Sequence, residues 1–198
     1  MKDMFIIFVF LSVLSLSSCE IFRPAAILDT DRNVLRSGTN YYILPVMHGK
    51  GGGLTLASDG GQTCPLEVVQ EVSEGKNGLP VNFASANKDG IIRESIDLNI
   101  KFVDSVTCAP NMVWQVNYFN RKGTVSSKGT LGRPGQDTMS NWFKIQKYED
   151  HYKLVHCPSV CYNCKKPACS DVGSMVDEKG RRSLVLSNEP LKVIFKRA

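Results

Sequence analysis

The sequence is short of most devices that would make it an enzyme. Its 198 residues hold only three histidines, His48, His151 and His156, and none falls in a recognised catalytic or zinc motif. No G-x-S-x-G stretch offers a nucleophilic serine. The glycine-rich run His48-Gly-Lys-Gly-Gly-Gly53 lacks the G-x-x-x-x-G-K-[ST] order of a phosphate cradle and no helix signal follows it, so it reads as a hairpin turn. No Asn-x-Ser/Thr sequon is present, which excludes N-linked glycan. No apolar run approaches the roughly 20 residues that cross a bilayer as a helix. No stretch sustains a 3.6-residue period for three turns.

What is present begins with a leader. Lys2, an apolar block from Met4 to Leu14 and the small residues Ser15-Leu-Ser-Ser-Cys19 describe a secretory signal peptide over residues 1–19, cut between 17 and 19. Leu16-Ser-Ser-Cys19 also matches the acylation box of bacterial lipoproteins, a four-residue pattern that often arises by chance. Residues 20–198 then form one domain, long enough to bury close to 70% of its unfolded surface. The net charge of +5 is spread over pairs such as Lys165-Lys166, Arg181-Arg182 and Lys196-Arg197 without interleaved aromatics. That pattern argues against nucleic acid as a partner.

Beyond the leader stand six cysteines: 64, 108, 157, 161, 164 and 169. Four of them crowd into Cys157-Pro-Ser-Val-Cys161-Tyr-Asn-Cys164-Lys-Lys-Pro-Ala-Cys169. Cys157, Cys161 and Cys164 have the spacing of iron–sulfur ligands, but an exported chain meets an oxidising compartment, where an even cysteine count implies three disulfides. Fifteen pairings are open on spacing alone. No cofactor or metal is expected.

Short apolar runs bounded by turn residues recur at Tyr41–Pro45, Leu54–Leu56, Leu66–Val72, Leu79–Phe83, Ile91–Arg93, Ile96–Phe102, Val113–Tyr118, Trp142–Lys147, Tyr152–His156, Leu184–Leu186 and Leu191–Phe195. This is an all-β signature of about twelve strands. Leu98-Asn-Ile-Lys-Phe102 and Leu191-Lys-Val-Ile-Phe195 largely alternate, so one face meets a core. The odd separation of His151 and His156 sets them on opposite strand faces, and Met47 and Met112 read as core filling. The pattern leaves barrel, trefoil and sandwich open.

Taken together, Ile27-x-Asp29-x-Asp31 through Leu35, Tyr41-x-Ile43, Gly51-Gly-Gly-Leu-Thr55, Cys64-Pro-Leu66, Asp97-Leu-Asn-Ile-Lys-Phe102, Trp142-Phe-Lys-Ile145 and Cys157-Pro-Ser-Val-Cys161 resemble the Kunitz soybean-type trypsin inhibitor family, miraculin-like branch, of plants. Arg32 departs from that signature at a position usually Gly or Asp, which implies a changed turn. The resemblance implies a β-trefoil, six strands forming a short barrel and six capping it. It also implies disulfides Cys64–Cys108, Cys157–Cys169 and Cys161–Cys164.

The resemblance further implies a secreted monomer, extracellular or vacuolar, with no membrane attachment after leader removal. Its function would be defensive inhibition of an endopeptidase, serine-type first, by an exposed substrate-like loop. That loop is Ala86, Asn87, Lys88, Asp89 and Gly90, with Lys88 as the primary contact for a trypsin-like specificity pocket. Two features count against it. Asp89 follows the scissile bond, where such enzymes accept acid poorly, and the family's loop-bracing asparagine falls on the shorter Ser37. The alternative is a non-inhibitory, or cysteine- or aspartic-protease-directed, trefoil binding protein of the miraculin-like type.

Overall fold

Alternation of β-branched and aromatic residues dictates the strands, because side chains two apart share a face. A computed structural model describes residues 23–58, 66–103, 112–119, 122–178 and 180–198. The leader, Cys64 and Cys108 lie outside the described residues. Twelve strands run in chain order: β1 (Asn40–Pro45), β2 (Leu54–Ser58), β3 (Leu66–Gln70), β4 (Val81–Ser85), β5 (Leu98–Phe102), β6 (Val113–Phe119), β7 (Lys122–Gly129), β8 (Lys144–Tyr148), β9 (His151–His156), β10 (Ser170–Val176), β11 (Arg182–Ser187) and β12 (Val193–Arg197). A 3-10 turn, Gln136–Asn141, is the one helical element among the described residues.

All pairings are antiparallel. The order β10-β11-β3-β7-β6-β5-β4-β1-β12-β9 closes back on β10, so ten strands make a ring, with β2 attached to β3 and β8 to β9. Closure removes the unpaired edges that would otherwise invite association. The hairpins β2–β3, β6–β7 and β10–β11 also meet one another, through Glu67↔Ser126, Val185↔Thr124 and Ser183↔Val69. Phe143, just before β8, bridges Leu98 at the start of β5.

The core follows the alternation. Tyr41 and Ile43 of β1, Val81 and Phe83 of β4, Leu98, Ile100 and Phe102 of β5, and Val193 and Phe195 of β12 are all buried. Phe83 meets Phe195 edge-on at 5.6 Å between centroids, and Trp114 meets Phe143 in the same way at 6.0 Å. Such pairs contribute beyond their buried area. Asn99 breaks the alternation by being buried too, and its amide is satisfied: Nδ2 donates to Asn141 O at 2.8 Å and Oδ1 accepts from Gly132 N–H at 2.7 Å.

Several expectations need correction. Ile91–Arg93 is no strand; it makes single bridges, Arg36↔Ile91 and Ala26↔Arg93. Residues 48–53 are no hairpin turn either, because β1 pairs with β4 and β12 while β2 pairs with β3. Its glycines serve close approach: a Cβ on Gly53 would stand 1.9 Å from Asn77 O. Met112 is core, but Met47 is 48% exposed. Arg32 adopts φ 63°, the left-handed conformation glycine takes without strain, so the arginine carries the strain of its turn.

Two predictions follow from packing. Gly53→Ala forces the backbone at Asn77 to shift and should cost about 3 kcal/mol in urea unfolding, whereas Gly75→Ala, whose Cβ would meet only Ser73 Oγ at 4.0 Å, should cost under about 0.5 kcal/mol. Equal midpoints for the two variants would refute the close approach. The second concerns His156, fully buried on β9 with Nδ1 3.0 Å from Trp142 O. Burial holds its imidazole below the usual histidine value of 6.5. The unfolded chain therefore binds a proton that the native state resists, and stability should fall as pH drops through about 6.5. Melting curves of wild type and His156→Gln between pH 7.5 and 5.5 check this; the variant should show the shallower acid slope.

Candidate functional site

Strands β4 and β5 are paired from Val81↔Phe102 to Ser85↔Leu98, and the chain between them bows outward. Ala86, Asn87, Lys88 and Asp89 are exposed, and Gly90 is half-buried at φ 74°. Apolar residues return at Ile92, which is fully buried. A loop this polar would be slack unless its backbone groups found partners.

They do so on both sides. On the entry side, Ala86 N–H donates to Asp97 O at 2.8 Å and Asn87 N–H to Ser85 Oγ at 3.1 Å. On the exit side, three buried residues hydrogen-bond in a cycle: Ile27 N–H to Ile92 O at 2.9 Å, Ile92 N–H to Leu35 O at 2.9 Å, and Leu35 N–H to Ile27 O at 2.8 Å. Ser37, named above as loop support, lies beside the loop and contributes through its backbone, its N–H donating to Gly90 O at 3.0 Å. Glu94 N–H adds a bond to Ala25 O at 2.9 Å.

Within the bow, Asp89 turns back on its own chain. Its Oδ1 accepts from Ile91 N–H at 3.1 Å and its Oδ2 from Arg93 Nε at 3.2 Å. These bonds, that to Ile91 first, hold its carboxyl below the usual carboxylate range. Arg93 also donates from a terminal nitrogen to Pro24 O at 3.0 Å. Arg23, Pro24, Asn87, Lys88, Asp89 and Arg93 line a shallow cleft of about 270 Å³.

The cysteine cluster supports the loop's base. Cys157–Cys169 and Cys161–Cys164 are bridged, with Cα separations of 4.4 and 5.4 Å. The 13-residue loop closed by the first contributes about 3 kcal/mol on the chain-entropy account. Between them, Ser159 N–H donates to both carboxylate oxygens of buried Asp97, at 3.1 and 3.2 Å, and its hydroxyl donates to Oδ2. Lys144 Nζ sits 3.9 Å from Asp97 and 3.0 Å from Ser159 Oγ. The clasp is thereby tied to the residue that anchors Ala86.

Sequence reading named residues 86–90 and Ser37 but missed Arg93, Pro24, Asp97 and Ser159. Opposite charges four apart at Asp89 and Arg93 were a readable signal, as was an aspartate two before Ile91, the spacing of an Asx turn. Asp97 and Ser159, 62 residues apart, gave none. Among the described residues no group of three or more His, Cys, Asp or Glu could hold a metal, and no helix is long and apolar enough to cross a membrane.

Among the described residues the strands form an all-β ring, and the chain from Ala86 to Gly90 stands out from it on hydrogen-bonded stems. The chain belongs to the Kunitz legume family, described as trypsin and protease inhibitor, which matches residues 27–197. Kunitz trypsin inhibitor 5 of Arabidopsis thaliana is 45% identical over 173 residues, covering 86% of this chain and 84% of the relative. Miraculin of Synsepalum dulcificum is 41% identical over 183 residues, covering 87% and 83%. Among solved structures, soybean trypsin inhibitor in complex with porcine pancreatic trypsin superposes with a TM-score of 0.71 at 31% identity, covering 87% of this chain and 99% of that one. The family is one of enzyme inhibitors, not enzymes.

The Asp97 anchor is testable by itself. Asp97→Ala leaves mostly buried Lys144 without its carboxylate and strips Ser159 of its acceptor, which should cost about 3 kcal/mol in denaturant unfolding. A loss below about 1 kcal/mol would show that the contact is incidental.

Proposed function

We propose that the protein is a secreted, reversible inhibitor of a serine-type endopeptidase, trypsin-like by preference. In this reading it occupies the enzyme's active site with Ala86–Gly90, and Lys88 enters an acidic specificity pocket. The reading is carried by one observation: an exposed lysine on a loop whose two stems are each held by backbone hydrogen bonds to a buried framework. A loop already held in its bound form loses little conformational entropy on docking, which lets an ordinary-sized interface bind tightly. The solved complex of a related inhibitor with trypsin supports the target class.

The scaffold in this reading is a β-trefoil. Supporting it are three four-strand units, β1–β4, β5–β8 and β9–β12, each with its second and third strands paired as a hairpin, and the mutual contacts of those hairpins. The remaining strands follow one another as β1-β4-β5-β8-β9-β12, with Leu98↔Phe143 joining β5 to the start of β8. The third disulfide is Cys64–Cys108. The leader spans residues 1–19, and the mature chain acts as a monomer in the extracellular space.

A second reading is favoured by the likeness to miraculin and by a Ser37 that braces the loop through its backbone. It makes the protein a trefoil binding module directed at another partner. Titration of trypsin with wild type and Lys88→Ala separates the two. The first reading expects the variant to lose about 30-fold or more in affinity, some 2 kcal/mol, with unchanged thermal stability because the side chain is exposed. Undiminished inhibition by the variant would overturn the role of Lys88. Absence of inhibition by the wild type across trypsin, chymotrypsin and subtilisin would favour the second reading.

A further inference from the structure

An acid just after the scissile position is a poor feature for a trypsin inhibitor, since the developing contact places it against an enzyme that discriminates against acid there. The geometry of this loop removes that objection. Resting on the reading of residues 86–90 as the inhibitory loop, we infer that Asp89 and Arg93 are positioning residues. They form a strut from Ile91 N–H through the Asp89 carboxylate and the Arg93 guanidinium to Pro24 O, which folds the acid back into the loop and braces the bow carrying Lys88.

Both carboxylate oxygens are engaged, Oδ1 by Ile91 N–H and Oδ2 by Arg93 Nε, so the charge, although exposed, is paired within its own loop. The aspartate closes an Asx turn across Asp89-Gly90-Ile91, in which Gly90 supplies the left-handed φ of 74°. Arg93 is well placed to join two chain segments because its planar fork presents several donors at once. One edge meets Asp89 and another nitrogen reaches Pro24 O at 3.0 Å, on the segment that runs into Ile27. The Arg93 side chain is only 14% exposed, so the pair is partly shielded from competing water.

The charged groups acting on Asp89 are the cations Arg93 and Arg23, and Lys88 lines the same cleft. With the acid neutralised internally, the enzyme meets a basic rim, which complements an acidic pocket. The strut also supplies what Ser37 does not. The exit side is tied by Ser37 N–H to Gly90 O through the backbone and by Asp89 and Arg93 through side chains.

The test uses the oxidised full domain as wild type, Arg93→Ala, Asp89→Ala and the double variant, with trypsin affinity and the rate of Lys88–Asp89 cleavage as readouts. Arg93→Ala should weaken inhibition on the order of tenfold and speed cleavage, because it frees the loop and leaves the acid unneutralised. Adding Asp89→Ala to Arg93→Ala should restore part of the affinity, which a merely structural loss at Arg93 would not allow. Wild-type affinity in Arg93→Ala, or a double variant weaker than Arg93→Ala alone, would overturn the strut. If the wild type does not inhibit trypsin, the functional reading fails, and hydrogen exchange at the Ile91 amide decides the strut instead. Faster exchange in both single variants sustains it, and wild-type exchange in either overturns it.

Discussion

Three backbone amides that hydrogen-bond in a circle hold the end of the molecule from which residues 86–90 project. Ile27, Leu35 and Ile92 belong to segments that are not strands, yet each gives its N–H to the next. Buried amides and carbonyls must find partners, and the cycle satisfies all three residues without a sheet. Their side chains are completely buried, so apolar burial and polar pairing reinforce the same geometry. The loop that bears Lys88 leaves β4 and arrives at this cycle. Its shape is therefore a property of the core, although its residues look like surface.

The other stem depends on a different chemistry. Asp97 is a buried acid held by Ser159, and Ser159 sits inside the disulfide-bridged segment. The bridges stabilise by restricting the unfolded chain, and in this case they also fix the position of an acceptor that the loop's base requires. One stem thus rests on hydrophobic burial and the other on a charge held by a clasp. These respond differently to solvent: the first weakens on cooling, the second under reducing conditions.

Much of the fold was legible because alternation is a direct imprint of a half-buried strand. Tyr41 and Ile43, or Leu98, Ile100 and Phe102, announce their face in the letters. β7, with Gly123, Ser126 and Ser127, and β10, with Ser170 and Gly173, announce nothing, since a crowded hairpin contact selects small residues over apolar ones: a Cβ on Gly123 would stand 2.6 Å from Leu186. The stretch 48–53 misled for a related reason. Its glycines answer a neighbouring backbone far along the chain, which local pattern does not encode. At the candidate site, the resemblance named residues 86–90, which lie on the exposed loop between β4 and β5. Its supports came from residues 24, 93, 97 and 159, and only folding brings those together.

The pairing of β1 with β12 has a consequence for how the protein is made. Tyr41 lies opposite Arg197, and Ile43 opposite Phe195, so the first strand waits for β12, eleven strands later in the chain, to be synthesised. Contacts this remote in sequence close slowly, since the connecting chain must give up its freedom before they form. A chain still emerging from the ribosome therefore stays an open ribbon until β12 has been made and can close the ring.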